Sequence, residues 1–259
     1  MKKNITICLL GVLFLMPQVT FAWGLIGHRV IGELAQKNMN SKAQKRVDAV
    51  LQHASVAMVA NWGDFIRSDE KYKDRDVWHY KDIAVGMDRE GFDKEVVTKN
   101  NGEVVFRVQE LIAKLKKDPN NEEDLKMLIH LIGDMHMPLH MGHPEDKGGN
   151  SVRLTWLGRN ISLHSLWDEA LIDFQKLGYA EYADHLYRTQ GIKVEKFQPS
   201  LVLDWAWETY QTAQKVYDSA PEAENVYKYD YKYLSLLEER LALAGAHLAS
   251  VLNYIYGGK

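Results

Sequence analysis

The sequence predicts a mainly α-helical single domain with one small β-hairpin, and three observations support this. Apolar residues recur at helical spacing through most of the chain. Residues 151–157 and 161–163 are short runs separated by a turn at Gly158, which is typical of a hairpin. The mature length suits one sizeable domain, or two small ones, and no Ser/Gly-rich linker, low-complexity tract or internal repeat divides the chain.

The helices are expected in the following order. An apolar stripe predicts a helix over 26–38, and Ser41 is expected to cap a second helix that runs to about His53. Further helices are predicted at 57–70, 103–117, 121–137, 164–177, 179–189, 199–218 and 225–256. Pro138 should end the helix at 121–137, because the residue before proline avoids helical geometry. The segment 72–102 is expected to be a long loop over one face.

Residues 1–22 have the features of a secretory signal peptide. A basic start precedes the apolar run 5–16, and residues 20–22 match the small-x-small pattern that signal peptidase accepts. A membrane anchor is disfavoured, because the apolar run is shorter than the ~20 residues that span a bilayer. Cleavage would leave Trp23 as the first residue of a mature chain, 23–259, exported to the periplasm or secreted.

Charge and cysteine content limit the chemistry. Removing residues 1–22 takes away two of the 32 Lys+Arg and none of the 35 Asp+Glu, so the net charge moves from −3 to −5. Nucleic-acid binders that rely on surface charge are usually basic, so any attraction for nucleic acid must be local to a site. The only cysteine, Cys8, lies in the signal, so the mature chain has no disulfide and no thiolate metal ligand.

Two His/Asp pairs indicate a metal site. His130 and Asp134 are four residues apart in a helical stretch, and so are His164 and Asp168. Positions i and i+4 lie on one helical face, so each pair can bind one metal through an imidazole and a carboxylate, which both suit zinc. His140 lies just beyond Pro138. His136 is on a different helical face and is expected next to the ligands or at the surface.

A set of ordered motifs carries a family resemblance. They are WGLIGH at 23–28, NWGDFIR at 61–67, WHYKD at 78–82, HLIGDMHMPLH at 130–140, KGGN at 147–150 and LHSLWD at 163–168. Read together, they resemble the zinc-dependent single-strand-specific nucleases, namely the secreted fungal nucleases and the plant bifunctional nucleases. These are relatives of bacterial zinc phospholipase C. The resemblance covers nearly all of the mature chain.

The resemblance implies three zinc ions in a helical fold of the phospholipase C/nuclease type, so that 23–259 would form a trinuclear zinc nuclease domain. The implied ligands of the first zinc are Asp64, His79, His130 and Asp134. Those of the second zinc are His140, His164 and Asp168. The third zinc would bind the α-amino nitrogen and carbonyl oxygen of Trp23, with His28 and a bridging Asp134.

Substrate contacts are also implied. Asp64 and Arg67 are the predicted catalytic residues, since a basic residue at position 67 lies beside the scissile phosphate in the family. Tyr80 would stack on a base, Asp82 would hydrogen-bond its edge, and Asn150 would help to form the base pocket. Each of these residues also has a simpler interpretation, as a surface arginine, a packed aromatic, a loop cap or a turn residue.

The implied activity is that of an endonuclease and 3′-nucleotidase, which cuts RNA and single-stranded DNA to 5′-phosphorylated products. Its partners would be single-stranded nucleic acid and 3′-nucleotides, with no stable membrane association. Two alternatives remain, a zinc phospholipase C and a non-catalytic zinc-binding protein. The short spacing from Trp23 to His28, and Asp168 where the phospholipases have Glu, argue against the first. Arg67, Tyr80 and Asp82 argue against the second, because a storage site has no need of them.

Overall fold

Helices account for most of the structure, a computed structural model that describes residues 23–258. In these residues the α-helices are α1 (Leu25–Asn38), α2 (Ser41–Val50), α3 (Val56–Val59), α4 (Trp62–Phe65), α5 (Arg89–Glu95), α6 (Val104–Lys117), α7 (Glu122–His136), α8 (Leu163–Ser165), α9 (Leu171–Phe174), α10 (Tyr179–Thr189), α11 (Leu201–Ser219) and α12 (Val226–Tyr256). The two strands are β1 (Arg153–Trp156) and β2 (Arg159–Ser162). The predicted mainly α fold with one hairpin is confirmed.

Shorter turns connect these elements. They are 3₁₀-helices at Ile66–Ser68, Glu70–Trp78, Pro138–Met141, Pro144–Asp146 and Ala220–Glu222, and a π-helical turn at Leu166–Ala170. None of the helices in residues 23–258 combines the length and the apolar character that crossing a membrane requires. The predicted signal peptide, 1–22, lies outside the described residues.

Helices α1, α7 and α12 form the centre of the molecule. Helix α1 packs against α12, α10 and α3, and α7 packs against α6 and α12. Two glycines let the backbones approach closely. A Cβ on Gly245 would lie 2.5 Å from the Cβ of Leu34, and a Cβ on Gly32 would lie 2.7 Å from the Cα of Ala57. Helix α1 is therefore fixed between α12 and α3, with its buried face toward α7.

The second helix begins at a different cap from the predicted one. Ser41 is the first helical residue, and Asn40 is the N-cap. The Asn40 side-chain oxygen accepts from the backbone N–H of Lys42 at 3.1 Å and of Ala43 at 2.9 Å. Asparagine competes as well as serine for this role, so the sequence offered two adjacent candidates.

Three predicted segments are more irregular than expected. The stretch 57–70 is not one helix but α3, α4 and a 3₁₀ turn. The stretch 72–102 is not all loop, because it contains most of a 3₁₀-helix, Glu70–Trp78, and the whole of α5. Helix α5 buries only Phe92 and therefore has no apolar stripe to reveal it. The stretch 164–177 is interrupted by the π turn.

Helix α7 brings the chain to the site. The Asn121 side chain caps it by accepting from the N–H of Asp124 at 3.0 Å. The helix ends at His136, and Met137 takes the extended geometry that a residue before proline prefers. The 3₁₀ turn that begins at Pro138 then carries His140 back toward the same face.

The hairpin leads the chain into the other ligand-bearing segment. Leu157 and Gly158 form its two-residue turn, with φ of +48° and +75°, the positive values that a tight right-twisted hairpin requires. The strands pair with Arg153 opposite Ser162. The N–H of Leu163 donates to the Val152 carbonyl at 2.8 Å, so β2 continues directly into α8 and His164.

Candidate metal centre

Buried His and Asp side chains gather into three clusters that could hold metal ions, and we call them together the metal centre. In each cluster the ligand atoms lie within 4.8 Å of one another. The clusters are His28, His130 and Asp134; Asp64, His79 and His130; and His140, His164 and Asp168. His130 belongs to the first two, so these clusters adjoin. The structure thus brings together every predicted side-chain ligand.

Asp134 contacts histidines of both of the first two clusters. Its Oδ1 lies 3.2 Å from Nε2 of His28. Its Oδ2 lies 3.0 Å from Nδ1 of His79 and 3.2 Å from Nε2 of His130. The rings of His28 and His130 are stacked, with centroids 4.1 Å apart. The i,i+4 spacing on α7 therefore places His130 and Asp134 together, as the sequence indicates.

Backbone carbonyls orient three of the imidazoles. In each case Nδ1 lies 2.7 Å from a main-chain oxygen, and the pairs are His130 with Ala60, His140 with His79, and His164 with Gly148. A hydrogen bond from Nδ1–H to a carbonyl fixes the ring and its tautomer, and it leaves Nε2 with a lone pair for a metal ion.

Several atoms of the metal centre lack a hydrogen-bond partner although they are buried. They are both ring nitrogens of His28, Oδ1 of Asp64, Nε2 of His79, Oδ1 of Asp134 and Oδ1 of Asp168. His28 Nε2 and Asp134 Oδ1 lie 3.2 Å apart but form no hydrogen bond. Leaving a buried polar atom unpaired costs roughly 1–3 kcal/mol. Imidazole nitrogens and carboxylate oxygens at this spacing are the donors that zinc and related divalent ions take. The residues therefore fit a metal centre, since bound ions would satisfy the carboxylate oxygens, His79 Nε2 and one of the two ring nitrogens of His28.

The pKa shifts follow from burial and from the mixture of charges. Burial lowers the pKa of His140 to about 3 and also lowers the pKa of His164. Burial raises the pKa of Asp168 well above its usual value, with help from the nearby carboxylates. For His130, burial lowers the pKa, but the carboxylates of Asp134 and Asp64 outweigh it and raise the pKa to about 9. The carboxylates thus attract a cation to this position, and a metal ion can replace the proton.

Two glycines make room for the ligand rings. A Cβ on Gly63 would lie 2.3 Å from Cδ2 of His130, and a Cβ on Gly133 would lie 2.9 Å from Nδ1 of His28. Any side chain at either position would displace an imidazole of the metal centre.

The chain at Trp23 lies beside the ligand-bearing segments. The Trp23 side chain is fully buried, and its Nε1 donates to the Gly133 carbonyl on α7 at 2.8 Å. The N–H of Gly24 donates to the carbonyl of Asp168 at 2.6 Å. Trp23 is therefore held between α7 and the π turn. Metal binding by its α-amino nitrogen would follow removal of 1–22, which lie outside the described residues, and it stays a prediction.

A cavity of about 590 Å³ opens onto the metal centre. It is lined by His79, His140 and His164 of the metal centre and by the predicted substrate residues Arg67, Tyr80, Asp82 and Asn150. Nη1 of Arg67 lies 3.7 Å from Oδ1 of Asp64, and its Nε lies 3.3 Å from Oδ1 of Asp76. The sequence does not predict a role for Asp76, because its distance along the chain from the motifs follows no recognisable pattern.

Tyr80 and Asp82 flank a buried lysine. Lys81 is fully buried, and its Nζ donates to the Asn100 carbonyl at 2.5 Å and pairs with Glu95 at 3.2 Å. This anchors the two cavity residues to the segment before α6. Burial, and then the nearby carboxylate of Asp146, raise the pKa of Asp82 to about 7.

His136 turns away from the metal centre. It is fully buried rather than at the surface, and its Nδ1 lies 2.7 Å from the Ile132 carbonyl. Its Nε2 lies 2.7 Å from Nδ1 of His247 on α12. The His247 ring stacks on Trp205, with centroids 4.0 Å apart. We call His136 and His247 the histidine pair; the sequence separates them too widely to suggest it.

The fold and the site define a class, a mainly helical protein with a candidate multinuclear metal centre at the floor of a polar cavity. The model of the S1/P1 Nuclease family matches residues 23–257, and the chain belongs to this family. The family consists of metal-dependent hydrolases that act on phosphodiester bonds, as the clusters and the cavity suggest.

Curated relatives agree with this membership. The chain is 26% identical to Endonuclease 4 of Arabidopsis thaliana over 92% of this chain and 90% of the relative. It is 28% identical to Nuclease S1 of Aspergillus oryzae over 69% of this chain and 65% of the relative. It is 27% identical to Nuclease P1 of Penicillium citrinum over 56% of this chain and 57% of the relative.

Proposed function

We propose that the chain is a zinc-dependent endonuclease and 3′-nucleotidase that hydrolyses RNA and single-stranded DNA to 5′-phosphorylated products. One observation carries this proposal: adjoining buried His/Asp clusters open onto a cavity that also holds Arg67, Tyr80 and Asp82. A metal-storage protein has no need of a cation, an aromatic ring and a carboxyl group beside its ligands.

The metal centre would hold three zinc ions through the ligands that the resemblance implies, with Trp23 completing the third site. Three zinc ions carry +6, and the carboxylates of Asp64, Asp134 and Asp168 return −3, so the site stays positive inside an acidic protein. This local charge would attract a phosphate without a basic surface. When bound, zinc supplies Lewis acidity toward phosphate oxygens and activation of water to hydroxide near neutral pH.

The side chains around the cavity would bind and orient the substrate. Arg67, adjacent to Asp64, offers a planar fork of N–H donors to the oxygens of the scissile phosphate. Tyr80 would stack on a base and Asp82 would hydrogen-bond its edge, while the Asn150 amide would help to form the pocket. Stacking is worth roughly 1–3 kcal/mol per base and needs a base free of its neighbours, which explains a preference for single strands.

Family membership and the cavity residues favour a nuclease over a phospholipase C. An acyl chain offers Asp82 no hydrogen-bond partner, whereas a base edge does. A choline-binding site would instead need an aromatic cage, and within residues 23–258 Tyr80 is the one aromatic ring, apart from the histidines, that lines this cavity.

Metal analysis and substrate assays test the proposal together. The mature protein, 23–259, is expected to contain three zinc ions per chain and to cut single-stranded DNA and RNA much faster than duplex DNA. Phosphatidylcholine micelles serve as the alternative substrate. Hydrolysis of the micelles without cutting of single strands would select the phospholipase, and bound zinc without any turnover would select a storage protein.

The role of Trp23 has its own test. Uncleaved precursor, or a mature protein with one added N-terminal residue, is expected to lack the third zinc and most of the activity. In both proteins the backbone nitrogen of Trp23 is part of a peptide bond and cannot bind a metal ion. The matched control carries the added residue after Lys259. Full zinc content and full activity in the N-terminally extended protein would remove Trp23 from the ligand set.

A further inference from the structure

Arg153 lies in the same cavity without a role in the chemistry proposed so far. It is the first residue of β1 and is directly opposite Ser162, the last residue of β2. Directly opposite residues of antiparallel strands have Cα atoms about 4.5–5.5 Å apart. Ser162 is followed by Leu163 and the candidate ligand His164, so the hairpin register holds Arg153 at a fixed place beside the metal centre.

The Arg153 guanidinium is held in position from one side. Its Nε donates to the Asn160 side-chain oxygen at 3.0 Å, and its Nη2 donates to the Asn160 carbonyl at 3.0 Å. A guanidinium has five N–H donors, so these two bonds leave three for a ligand. The side chain is exposed and lines the cavity together with His140 and His164. Because the guanidinium is already oriented, binding an anion would cost the Arg153 side chain little further conformational entropy.

Two arginines therefore serve one cavity. Arg67 lies beside Asp64 and is suited to the phosphate that reacts. Arg153, on the hairpin, and the exposed Lys147, in the loop before it, line the side of the cavity that we call the hairpin wall. Two carboxyl groups also line this cavity: Asp76 is paired with Arg67 at 3.3 Å, and the proposed function assigns Asp82 to the base edge, so Arg153 and Lys147 are left for a further phosphate. A mononucleotide has a single phosphate, so a second cationic position would bind nothing on it. A strand has a phosphate at every nucleotide, so a second cation can bind the next one.

We propose that Arg153 binds the phosphate next to the scissile one in a single strand, and that it thereby makes the enzyme more efficient on oligonucleotides than on substrates with a single phosphate. The inference rests on the proposed nuclease activity and adds a specificity residue to it. Lys147 contributes a weaker, non-directional attraction to the same phosphate, because an ammonium is a point charge on a flexible stem.

The test compares two substrates and two variants of the mature, metal-loaded protein. The substrates are a dinucleoside monophosphate, whose only phosphate is the scissile one, and a single-stranded tetranucleotide. The variants are Arg153→Gln and, as the matched control, Arg159→Gln. Arg159 is an exposed arginine of the same hairpin that lines a different cleft, next to Trp156 and Phe174.

Arg153→Gln is expected to lower kcat/KM on the tetranucleotide about tenfold, mainly through KM, since a charge-assisted hydrogen bond to phosphate is lost. Its kcat/KM on the dinucleoside monophosphate should stay within about twofold of the wild type. The slope of log(kcat/KM) against log[salt] on the tetranucleotide should become shallower by about 0.7, the value for one phosphate contact on a single strand. Arg159→Gln should match the wild type in all three measurements.

Tetranucleotides with one neutral methylphosphonate beside the scissile position identify the contact directly. The substitution on the correct side should slow the wild type by about the same tenfold factor and leave Arg153→Gln unaffected, because the two changes remove the same interaction. Equal loss on both substrates, or equal behaviour of the two variants, would overturn the inference while the nuclease activity stands. A wild-type protein that cleaves neither substrate would overturn the proposed function and this inference with it.

Discussion

Helix α7 separates two groups of buried histidines that satisfy their polar atoms in opposite ways. On one side, the metal centre leaves buried nitrogens and oxygens of His28, Asp64 and Asp134 without hydrogen bonds. On the other side, the facing nitrogens of the histidine pair have protein partners: His136 bonds the Ile132 carbonyl and His247. The charged Arg240 beside the pair also has a protein partner, since it donates to Thr209 at 2.6 Å. The two groups have similar residue types and similar burial.

This difference distinguishes a binding site from a structural cluster. Neutral rings complete the histidine pair, with His247 Nδ1–H donating to Nε2 of a His136 whose own Nδ1–H reaches Ile132. Burial lowers the pKa of both rings, that of His247 to about 3, with the Arg240 charge as a further cause. Both nitrogens of His136 and the facing nitrogen of His247 are therefore satisfied within the protein. The metal centre instead holds the buried carboxylates of Asp64, Asp134 and Asp168, and a bound cation would balance their negative charge.

The largest expected effect is on activity, which should depend on the metal centre and not on the histidine pair. Asp134→Asn removes the carboxylate that contacts three histidines, and it should lower kcat/KM on single-stranded DNA on the order of 10³-fold and reduce the zinc content. His136→Asn, two residues further along the chain, should leave the zinc content and kcat unchanged. Full zinc content in Asp134→Asn would place the metal elsewhere.

The second prediction concerns stability. Chelating the metal should lower the free energy of unfolding of the wild type by about 4 kcal/mol where free zinc had been near 1,000 times its dissociation constant. Urea unfolding with and without chelator measures the difference. In Asp134→Asn the chelator should have much less effect. An equal effect in both proteins would mean that zinc does not stabilise through this centre.

The third prediction tests whether the histidine pair is closed. His247→Leu leaves Nε2 of His136 buried and unpaired, and should destabilise the protein by about 2–3 kcal/mol. The double variant His136→Leu/His247→Leu removes both partners and should be destabilised by less than the sum of the single changes. Urea unfolding of the four proteins, with zinc content as the control, gives the coupling. Additive losses would show that the two rings do not depend on each other.

The smallest effect, counted for each pH unit, is the pH dependence of stability. The pKa of His247 is about 3 in the folded protein, below its usual 6.5, so between these values the unfolded chain binds a proton that the folded chain does not. The free energy of unfolding should therefore fall as the pH drops from 6.5 toward 3, by about 1 kcal/mol per pH unit from this group. Below pH 6 the double leucine variant should show a slope shallower by about twice this amount, because burial lowers the pKa of His136 as well and the variant removes both rings. An unchanged slope would assign the acid sensitivity to the metal centre alone.

The sequence predicts the regular parts of this molecule well. Helices α6, α7, α11 and α12 bury continuous apolar faces, so their periodicity marks them, and Pro138 ends α7 as expected. The same periodicity places His130 and Asp134 on one face. The four-residue spacing also pairs His164 with Asp168. The other ligands, and the meeting of the two pairs, could be predicted only through the family resemblance, because spacing says nothing about which distant segments meet.

What the sequence does not predict depends on contacts between distant segments. The break between α3 and α4 lets Gly63 approach the His130 ring, and no local signal records that approach. The pairing of Arg67 with Asp76 and the pairing of His136 with His247 arise from tertiary packing in the same way. The cationic hairpin wall at Arg153 depends on the strand register, which the sequence indicates only roughly.

Activity should depend on Gly63 and Gly133 as well as on the residues that bind metal or substrate. Neither has a side chain, yet a single methyl group on either would occupy the space of an imidazole ring. In a saturation mutagenesis screen for activity, both positions should tolerate as few substitutions as the ligands themselves. The target for inactivating mutation is therefore larger than the ligand set, and two of its members would be overlooked by a search for reactive groups alone.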